Sequence, residues 1–298
     1  MAAITSANIA QAIVKLVAAK AMPALQNRLV MGSLVNRDFD AVIAATGDTV
    51  NVPLPPTMSA NNIAEGGSVT TQSPSLGNAQ VVLNKHSESS FQIPDITKVL
   101  AHPDLLATYL KPAVIAVAES IEQDLLNLYP LLTANTAVGA AATDITEAVV
   151  DDAERTLFTA KVPSEEPLSL VVTAAQYSVL RQMARFTEAQ TLGDGVAIAT
   201  GQVGTLKGFR VFRHQLVTTV STTDYNLAFA RDAFVLVTRR LPQPLPGTGA
   251  IAEYVDMGNF GFRVVMSYAP STLAQQFTVD VLYGVASLRN QFGVQVKT

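Results

Sequence analysis

The sequence contains no cysteine and no tryptophan, and only 15% of its 298 residues are charged. Without cysteine, the chain has no disulfide, no thiolate nucleophile and no thiolate metal ligand. The net charge of -4 provides no positive field, which argues against tight, sequence-reading DNA binding. No apolar run approaches the ~20 residues of a membrane span. The 49% of hydrophobic residues are therefore expected to be buried in a core or between subunits, which favours assembly.

Motifs for catalysis and metal binding are missing as well. Neither a G-x-S-x-G elbow nor a phosphate-binding glycine loop occurs. No histidine has a second ligand at metal-binding spacing, so no metal site is predicted at His86, His102 or His214. Paired carboxylates are interpreted as solvated charge, and they are Asp151 with Asp152, Glu165 with Glu166, and Glu119 with Glu122. The sequence therefore predicts no catalytic residue, no metal and no cofactor.

The stretch over residues 47–94 is long and poor in apolar residues. Residues 49–54 (TVNVPL) and 80–90 (QVVLNKHSESS) carry β-formers with partial alternation, which predicts two extended strands. The residues between them, MSANNIAEGGSVTTQSPSLGN, are typical of turns. A two-stranded ribbon is marginally stable alone in water. The stretch is thus either a floppy loop or an arm that lies on another molecule.

The strongest helical signal covers residues 104–129. Apolar residues recur along one stripe, and Glu119, Glu122 and Asp124 are predicted to face away from it. Pro112 lies inside the pattern and predicts a kink near the start of the helix. A shorter helix, capped by Ser6 or Asn8, is predicted up to about residue 20.

The remaining elements predict an α+β fold. Asp144 with Glu147 is a candidate capping pair for a helix to residue 160, and Thr173 with Gln176 is a capping box for a helix to residue 183. Residues 187–201 are a predicted loop. Strands are predicted over residues 168–172, 208–212, 225–230, 234–238, 260–268 and 276–286, the last two as an antiparallel pair.

The order of these parts resembles the major capsid proteins of tailed bacteriophages, whose Hong Kong 97-type fold is shared by encapsulins. Local stretches are also similar to those coat proteins. They are VNRDF at 35–39 ahead of GDTVNVP at 47–53, AESIEQDLL at 118–126, and VG at 203–204 with GFRVF at 208–212. None of these motifs is catalytic, and the signal is their joint order along nearly the whole chain.

The resemblance implies a division of the chain into four parts. These are an N-terminal arm (1–46), an extended β-hairpin loop (47–94), a peripheral domain (95–130 and 257–298) with a long spine helix and long antiparallel strands, and an axial α/β domain (131–256). It also implies a non-enzymatic major capsid protein. Such a chain self-assembles into pentamers and hexamers of an icosahedral head that encloses double-stranded DNA.

The implied partners are many copies of the same chain, a portal, and packaged DNA contacted without sequence specificity, with no membrane. Some family members begin with a long coiled-coil scaffolding segment, but this chain reaches its first predicted helix within about ten residues, well short of several heptads. A separate scaffolding protein is therefore expected, unless the sequence is that of an already processed chain. The implied location is the virion, with assembly in the host bacterial cytoplasm.

Seven residues of the extended loop are predicted to contact a neighbouring subunit: Asn61, Glu65, Gly66, Gly67, Val81, Leu83 and Lys85. Some family members cross-link a loop lysine to an asparagine of a neighbour. Lys85 is the sole lysine of the stretch, and Asn259 or Asn290 could be its partner. A solvated lysine on a β-arm is the ordinary interpretation, so no cross-link is predicted.

Two alternatives remain open from the sequence. An encapsulin-like nanocompartment would have the same fold but would load an enzyme rather than DNA. A soluble α+β enzyme or binding domain, with the loop at 187–201 closing over a ligand, would be a compact monomer or a small oligomer.

Overall fold

The computed structural model describes residues 30–39, 49–56, 58–96, 105–183, 204–245, 248–257 and 260–298. Within them the helices are α1 (Met31–Leu34), α2 (Leu105–Leu126), α3 (Glu147–Thr159) and α4 (Ala174–Gln182). The strands are β1 (Thr49–Leu54), β2 (Gly77–Val82), β3 (Lys85–Pro94), β4 (Val138–Gly139), β5 (Leu168–Val172), β6 (Thr205–Leu206), β7 (Phe209–Arg213), β8 (Thr219–Val220), β9 (Thr223–Ala230), β10 (Phe234–Arg239), β11 (Ile251–Met257), β12 (Phe260–Ala269), β13 (Ala274–Ser287) and β14 (Gly293–Lys297). The predicted helix at 6–20 and the predicted loop at 187–201 lie outside the described residues.

The long helix predicted over residues 104–129 spans Leu105–Leu126 in the structure. It continues through Pro112, and the kink there stays a prediction. A short 3-10 turn that contains Pro130 follows the helix, because proline has no N–H to continue the hydrogen-bond ladder. The buried side of α2 is mostly apolar at helical spacing. It comprises Leu110, Ala113, Val114, Val117, Ala118, Ile121, Leu125 and Leu126, together with one charged residue, Glu122.

A five-stranded sheet is built around β13, which is the longest strand. Residues 274–280 of β13 pair antiparallel with β12 on one side and with β3 on the other. Further along, residues 282–287 pair with β10, and β11 extends the sheet beyond β12. The predicted antiparallel pair over 260–268 and 276–286 is confirmed. The predicted strand over 80–90 is instead divided between β2 and β3, and β3 belongs to this sheet rather than to a free arm.

A second sheet has seven strands in the order β4-β14-β9-β5-β7-β6, with β8 beside β9. The pairing of β5 with β7 is parallel, as is that of β14 with β4, whereas the other ladders are antiparallel. The strands predicted over 168–172, 208–212 and 225–230 all lie in this sheet. Together with the helices it gives the predicted α+β class.

Helix capping differs in one place from the sequence prediction. Helix α3 is capped by Thr146, whose side-chain oxygen accepts a hydrogen bond from the Val149 amide, and not by Asp144. Thr173 caps α4 as predicted, with its hydroxyl 3.4 Å from the Gln176 amide. In a complete capping box the Gln176 side chain would accept a hydrogen bond from the Thr173 amide. Here it accepts from the Ile145 amide instead, at 2.8 Å. This bond ties the start of α4 to the loop before α3.

Two apolar cores lie on opposite faces of the seven-stranded sheet. On β5, Val171 belongs to the larger core, whereas Leu170 and Val172 belong to the smaller one, as strand alternation requires. The larger core continues into α2 and the five-stranded sheet. The smaller core lies beneath α3 and α4, which contribute Leu157 and Leu180. The two sheets are thus joined through the larger core.

The segment ahead of the hairpin is anchored to β10. The Asn36 amide donates to the Phe234 carbonyl and the Leu236 amide donates to the Asn36 carbonyl, both at 3.0 Å. The side chain of Asn36 also donates to Asp232 at 2.7 Å. The VNRDF segment that carries part of the family resemblance is therefore a structural anchor within this chain.

Candidate assembly surface

The β1–β2 hairpin has a base that is buried in its own subunit. The two strands pair antiparallel from Thr49 opposite Val82 to Leu54 opposite Gly77. One face of the hairpin packs against the five-stranded sheet. The buried residues of this contact are Val50, Val52, Val81, Leu83, Val235, Val237 and Leu288. Burial of these branched side chains fixes the base of the hairpin to its subunit.

Gly284 allows the hairpin to approach β13 closely. A Cβ atom at this position would overlap the carbonyl oxygen of Val82, so the backbones fit only with glycine. An isolated glycine inside a predicted strand is a known signal of such an approach. That signal was present in the sequence, within the strand predicted over 276–286.

The tip of the hairpin is exposed. Every residue from 58 to 78 is exposed, and no strand pairing links the described residues of the two sides between Leu54 and Gly77. The tip contains large apolar side chains with no core to enter, and they are Met58 (67% exposed), Ile63 (50%), Val69 (76%) and Leu76 (70%). Its internal order comes from a turn, in which the Gly67 amide donates to the Ala64 carbonyl at 2.9 Å, and from hydrogen bonds between Ser59 and Gln72.

The seven predicted contact residues fall into two groups. Asn61, Glu65, Gly66 and Gly67 lie in the exposed tip, where Gly66 has a positive φ of 81°. The other three are engaged inside the subunit: Val81 and Leu83 are buried, and Lys85 pairs with Asp124 of α2 at 2.7 Å. Contact with a neighbour stays a prediction that the exposed tip residues are placed to fulfil.

The partner of Lys85 belongs to a polar cluster beneath β13. The Tyr283 hydroxyl donates to Asp124 at 2.6 Å, on the oxygen that Lys85 does not contact. Burial, together with this hydrogen bond, raises the pKa of Tyr283 well above its ordinary value. Asp124, which was predicted to face away from the apolar stripe, thus connects its own helix α2 to Lys85 of β3 and to Tyr283 of β13. Of the two asparagines considered as cross-linking partners of Lys85, Asn259 lies outside the described residues and Asn290 begins the 3-10 turn before β14. The absence of a cross-link to a neighbour stays a prediction.

The predicted solvent exposure of Glu122 is wrong. This residue was expected on a solvated face, but its side chain is 1% exposed. Its two oxygens accept from the amides of Met31 and Gly32, at 2.7 and 2.9 Å. His214 lies 2.9 Å from the same carboxylate. The His214 Nδ1 atom accepts from the Leu216 amide at 3.0 Å, so Nε2 carries the proton that is donated to Glu122.

A cleft of about 430 Å³ opens beside Glu122 and His214. Both side chains are already committed to hydrogen bonds within the subunit, so the arrangement tethers α1 to α2 and to the loop after β7. Within the described residues, no group of three or more histidine or carboxylate side chains is placed to hold a metal ion. No helix in the described part of the chain is long and apolar enough to span a membrane.

Comparisons with solved structures match nearly the whole chain. A chain of Mycobacterium phage Che8 aligns with a TM-score of 0.67 at 19% identity, covering 90% of both chains. The capsid of the empty GTA particle aligns at 0.61 and 12% identity, covering 91% of this chain and 90% of that chain. The virus-like particle from Pyrococcus furiosus aligns at 0.56 and 10% identity, covering 95% and 99%. No protein-family model and no curated protein matches the sequence.

The chain has the tailed-phage capsid fold. The resemblance stated from the sequence is therefore confirmed at the level of the fold. In this capsid fold the β1–β2 hairpin projects from the five-stranded sheet, and β3 belongs to that sheet as a fixed strand.

Two short 3-10 turns lie together where the chain crosses between the sheets of the capsid fold. Arg231–Ala233 connects β9 to β10, and Asn290–Phe292 connects β13 to β14. The Leu288 amide donates to the Ala233 carbonyl at 2.9 Å and holds the two crossings together. Glu166, in the loop before β5, accepts a backbone hydrogen bond from Asp232 at this place.

Glu166 is expected to make the stability of the subunit depend on pH. One of its oxygens is buried with no hydrogen-bond partner among the residues that the structure describes, and burial together with the nearby Asp232 carboxylate raises its pKa above 4.5. A raised pKa in the folded state means that the contribution to stability is present below the unfolded pKa and is lost as pH rises through the folded pKa. Glu166→Gln should therefore stabilise the subunit at pH 7, by less than about 1 kcal/mol because solvent screens the group.

Urea unfolding of the unassembled subunit at pH 4 and pH 7 tests this expectation. The difference between Glu166→Gln and the unaltered chain should be present at pH 7 and vanish towards pH 4. Glu165→Gln, an exposed neighbour, is the matched control and should leave the pH dependence unchanged. A loss of stability in Glu166→Gln at pH 7 would contradict the assignment.

Proposed function

We propose that this chain is the shell-forming subunit of a tailed-phage head, which assembles into pentamers and hexamers and encloses double-stranded DNA. The observation that carries the proposal is the hairpin with a buried base and a wholly exposed, partly apolar tip. Such a tip gives a free subunit no core burial and leaves its backbone without the strand partners of a sheet. The capsid fold supports the same conclusion.

The mechanism is geometric and needs no active site. The tip lies along an adjacent subunit, where its apolar side chains are buried and its backbone finds hydrogen-bond partners. Each tip contact is weak by itself. Around a closed shell, every further contact is effectively intramolecular, so that many weak contacts give a strong container.

The regions implied by the family resemblance are part of the proposal. Residues 1–46 form the arm, 47–94 supply the extended loop with β3 as its fixed end, 95–130 with 257–298 form most of the peripheral domain, and 131–256 form most of the axial domain. The exceptions are β10 and β11, which pair within the peripheral five-stranded sheet, and β14, which pairs within the axial seven-stranded sheet. A scaffolding protein and a portal are the proposed assembly partners, and DNA is contacted without sequence specificity. The proposed location is the virion, after assembly in the bacterial cytoplasm.

An encapsulin-like compartment is the second candidate, because the virus-like particle from Pyrococcus furiosus has the same fold. Its TM-score of 0.56 lies within the range of 0.54 to 0.67 found for the phage structures, so the scores do not separate the two candidates. The two candidates differ in cargo, which is DNA in one case and protein in the other.

Electron microscopy and sedimentation of the full chain, produced with its native scaffolding protein, test the proposal. We expect closed shells with hexamers and pentamers, and DNA inside particles from the native source. Particles that contain protein cargo and no DNA would support the compartment. Only a monomer or a small oligomer, in the presence of scaffold, would overturn the shell function and favour a soluble α+β enzyme or binding domain.

A further inference from the structure

Helix α3 presents a large aromatic side chain to solvent. Phe158 is 78% exposed, whereas the inward side of the same helix is packed into the smaller core through Leu157. Asp151 and Glu154 lie seven and four positions before Phe158, so these three exposed side chains share one side of the helix. We name Asp151, Glu154 and Phe158 the outer face of α3.

Negative charge is concentrated around this face. The stretch DITEAVVDDAERTLFTAKVPSEE, residues 144–166, has seven acidic and two basic residues, which give a formal net charge of -5. The whole chain has a net charge of -4, so all its other residues together have a net charge of +1. The acidity of this protein thus belongs to α3 and its flanks rather than to the surface in general.

Part of this charge is neutralised inside the subunit. Lys207, from the turn before β7, contacts the carboxylate of Asp151, and Arg155 pairs with Asp152 at 2.7 Å. Glu154 has no hydrogen bond or ion pair among the described residues. The last turn of α3 contains no basic residue, so the partial negative charge at the helix C-terminus adds to that of Glu154. A cation supplied from outside the subunit is therefore favoured beside the aromatic ring.

We propose that the outer face of α3 binds a basic amphipathic helix of another protein. In this contact, Lys or Arg side chains of the partner pair with Glu154, and an apolar side chain packs on the ring of Phe158. A cation over the ring adds attraction from its π-system. Opposite charges on the two surfaces also speed their encounter. The inference goes beyond the proposed shell function and does not rest on it, because the face is complete in a single subunit.

The charge of the face disfavours other occupants. Two copies of α3 that met face to face would bring together two stretches with a net charge of -5 each, and like charges across an interface repel. Packaged DNA and anionic lipid surfaces are repelled for the same reason. A small cation would neutralise the carboxylates but would leave the aromatic ring in water. A partner with both positive charge and apolar side chains matches both properties of the face.

Binding of a defined peptide to the unassembled subunit tests the face. The probe is a fluorescent helical peptide that has Leu on one side and Lys on the other, and the same peptide with Glu in place of Lys is the control probe. Fluorescence anisotropy should show that the subunit binds the basic peptide and not the acidic one. Raising the salt concentration from ~50 mM to ~300 mM should weaken the binding, because salt screens exposed charges.

Two variants separate the aromatic ring from the charge. Phe158→Ser should weaken binding of the basic peptide by roughly tenfold, since one aromatic side chain is no longer buried. Glu154→Lys should also weaken it and should reduce its dependence on salt. Val220→Ser is the matched control for the ring, because Val220 is 48% exposed in β8, and it should leave binding unchanged. The Phe158→Ser subunit should unfold at the temperature of the unaltered one, because the ring is exposed.

A photo-cross-linker on the face identifies the natural occupant. The chain has no cysteine, so Phe158→Cys introduces a single thiol to which a benzophenone maleimide is attached. The label is activated while the full chain assembles with the other proteins of its native particle. The main product should join this chain to another protein through a segment rich in Lys and Arg, and adding Glu154→Lys should abolish it. Val220→Cys should not give this product.

The outcomes separate this inference from the proposed function. Peptide binding is measured on unassembled subunits, whether or not shells form. Equal affinity of the Phe158→Ser and Val220→Ser subunits would overturn the outer face as a docking site and leave the shell function intact. A cross-link only within the chain, to a second copy or to DNA would overturn it too, as would a clear drop in the unfolding temperature of Phe158→Ser. Absence of shells, with peptide binding that still depends on Phe158, would overturn the proposed function alone.

Discussion

Replacing residues 55–76 by the dipeptide Asn-Gly is expected to give a subunit that folds and no longer forms shells. Leu54 and Gly77 are paired at the end of the hairpin, so a two-residue type I′ turn can join them. The buried base, with Val50, Val52 and Val81, is left intact. Closing a loop of two residues rather than 22 costs less entropy, so the subunit should become more stable by up to ~2 kcal/mol.

The loss of shells follows from the loss of the exposed tip. Its apolar side chains and unpaired backbone are the surfaces proposed to lie on a neighbour. Sedimentation should show the shortened chain only as unassembled subunits, and thermal unfolding should show a cooperative transition at or above that of the full chain. Wild-type yields of shells from the shortened chain would remove the tip from the assembly mechanism.

A second variant tests whether assembly depends on the length of the tip or on its apolar side chains. Four substitutions to serine, at Met58, Ile63, Val69 and Leu76, keep every residue of the loop and remove its large apolar side chains. If burial of these side chains drives the contact, this variant should fold normally and assemble poorly. If backbone pairing alone is sufficient, it should assemble like the unaltered chain. Unfolding of either variant would mean that the tip supports its own subunit.

Glu122→Gln is expected to destabilise the subunit by about 3 kcal/mol. The amide group has nearly the same shape as the carboxylate, but one of its ends donates hydrogen bonds and cannot accept them. The two carboxylate oxygens accept from Met31, Gly32 and His214, so in either orientation at least one buried donor faces another donor. Each buried donor without a partner costs ~1–3 kcal/mol, and hydrogen bonds to a charged group are the stronger kind.

The effect should be concentrated where Glu122 acts. Hydrogen exchange should accelerate at the amide of Met31 or of Gly32, whichever faces the NH₂ group and loses the acceptor that holds α1 against α2. Urea unfolding should give the loss in free energy. Glu119→Gln, on the same helix and partly exposed, is the control and should cost at most about 1 kcal/mol. Unchanged exchange at Met31 and Gly32 would show that the carboxylate does not hold this segment.

Local patterns in the sequence predicted the elements with local causes. The alternation at residues 49–54, followed by turn residues, predicted the first strand and the exposed tip of the hairpin. Apolar spacing predicted α2, and the order of the elements predicted the capsid fold. Thr173 was found as a helix cap because a cap depends on residues three positions apart.

Predictions that depended on distant residues were less accurate. Residues 85–90 have the same β-forming composition whether they extend a free arm or pair with β13. The pairing of Lys85 with Tyr283, nearly two hundred residues later, places them in the sheet. Glu122 has a charged side chain at a position that local spacing assigned to the solvated face. Its burial depends on two amides in α1 and on His214, far apart in the chain.

The sequence by itself determined that this protein has no thiol chemistry, that its fold is α+β, and that a long polar hairpin precedes a long helix. Only the tertiary structure decided which part of the hairpin is fixed and which is free. Val81 and Leu83 were predicted as outward contacts, but they are buried because the backbone of β13 at Gly284 lies against Val82. Strand alternation specifies that two faces differ, and long-range packing decides which of them is covered.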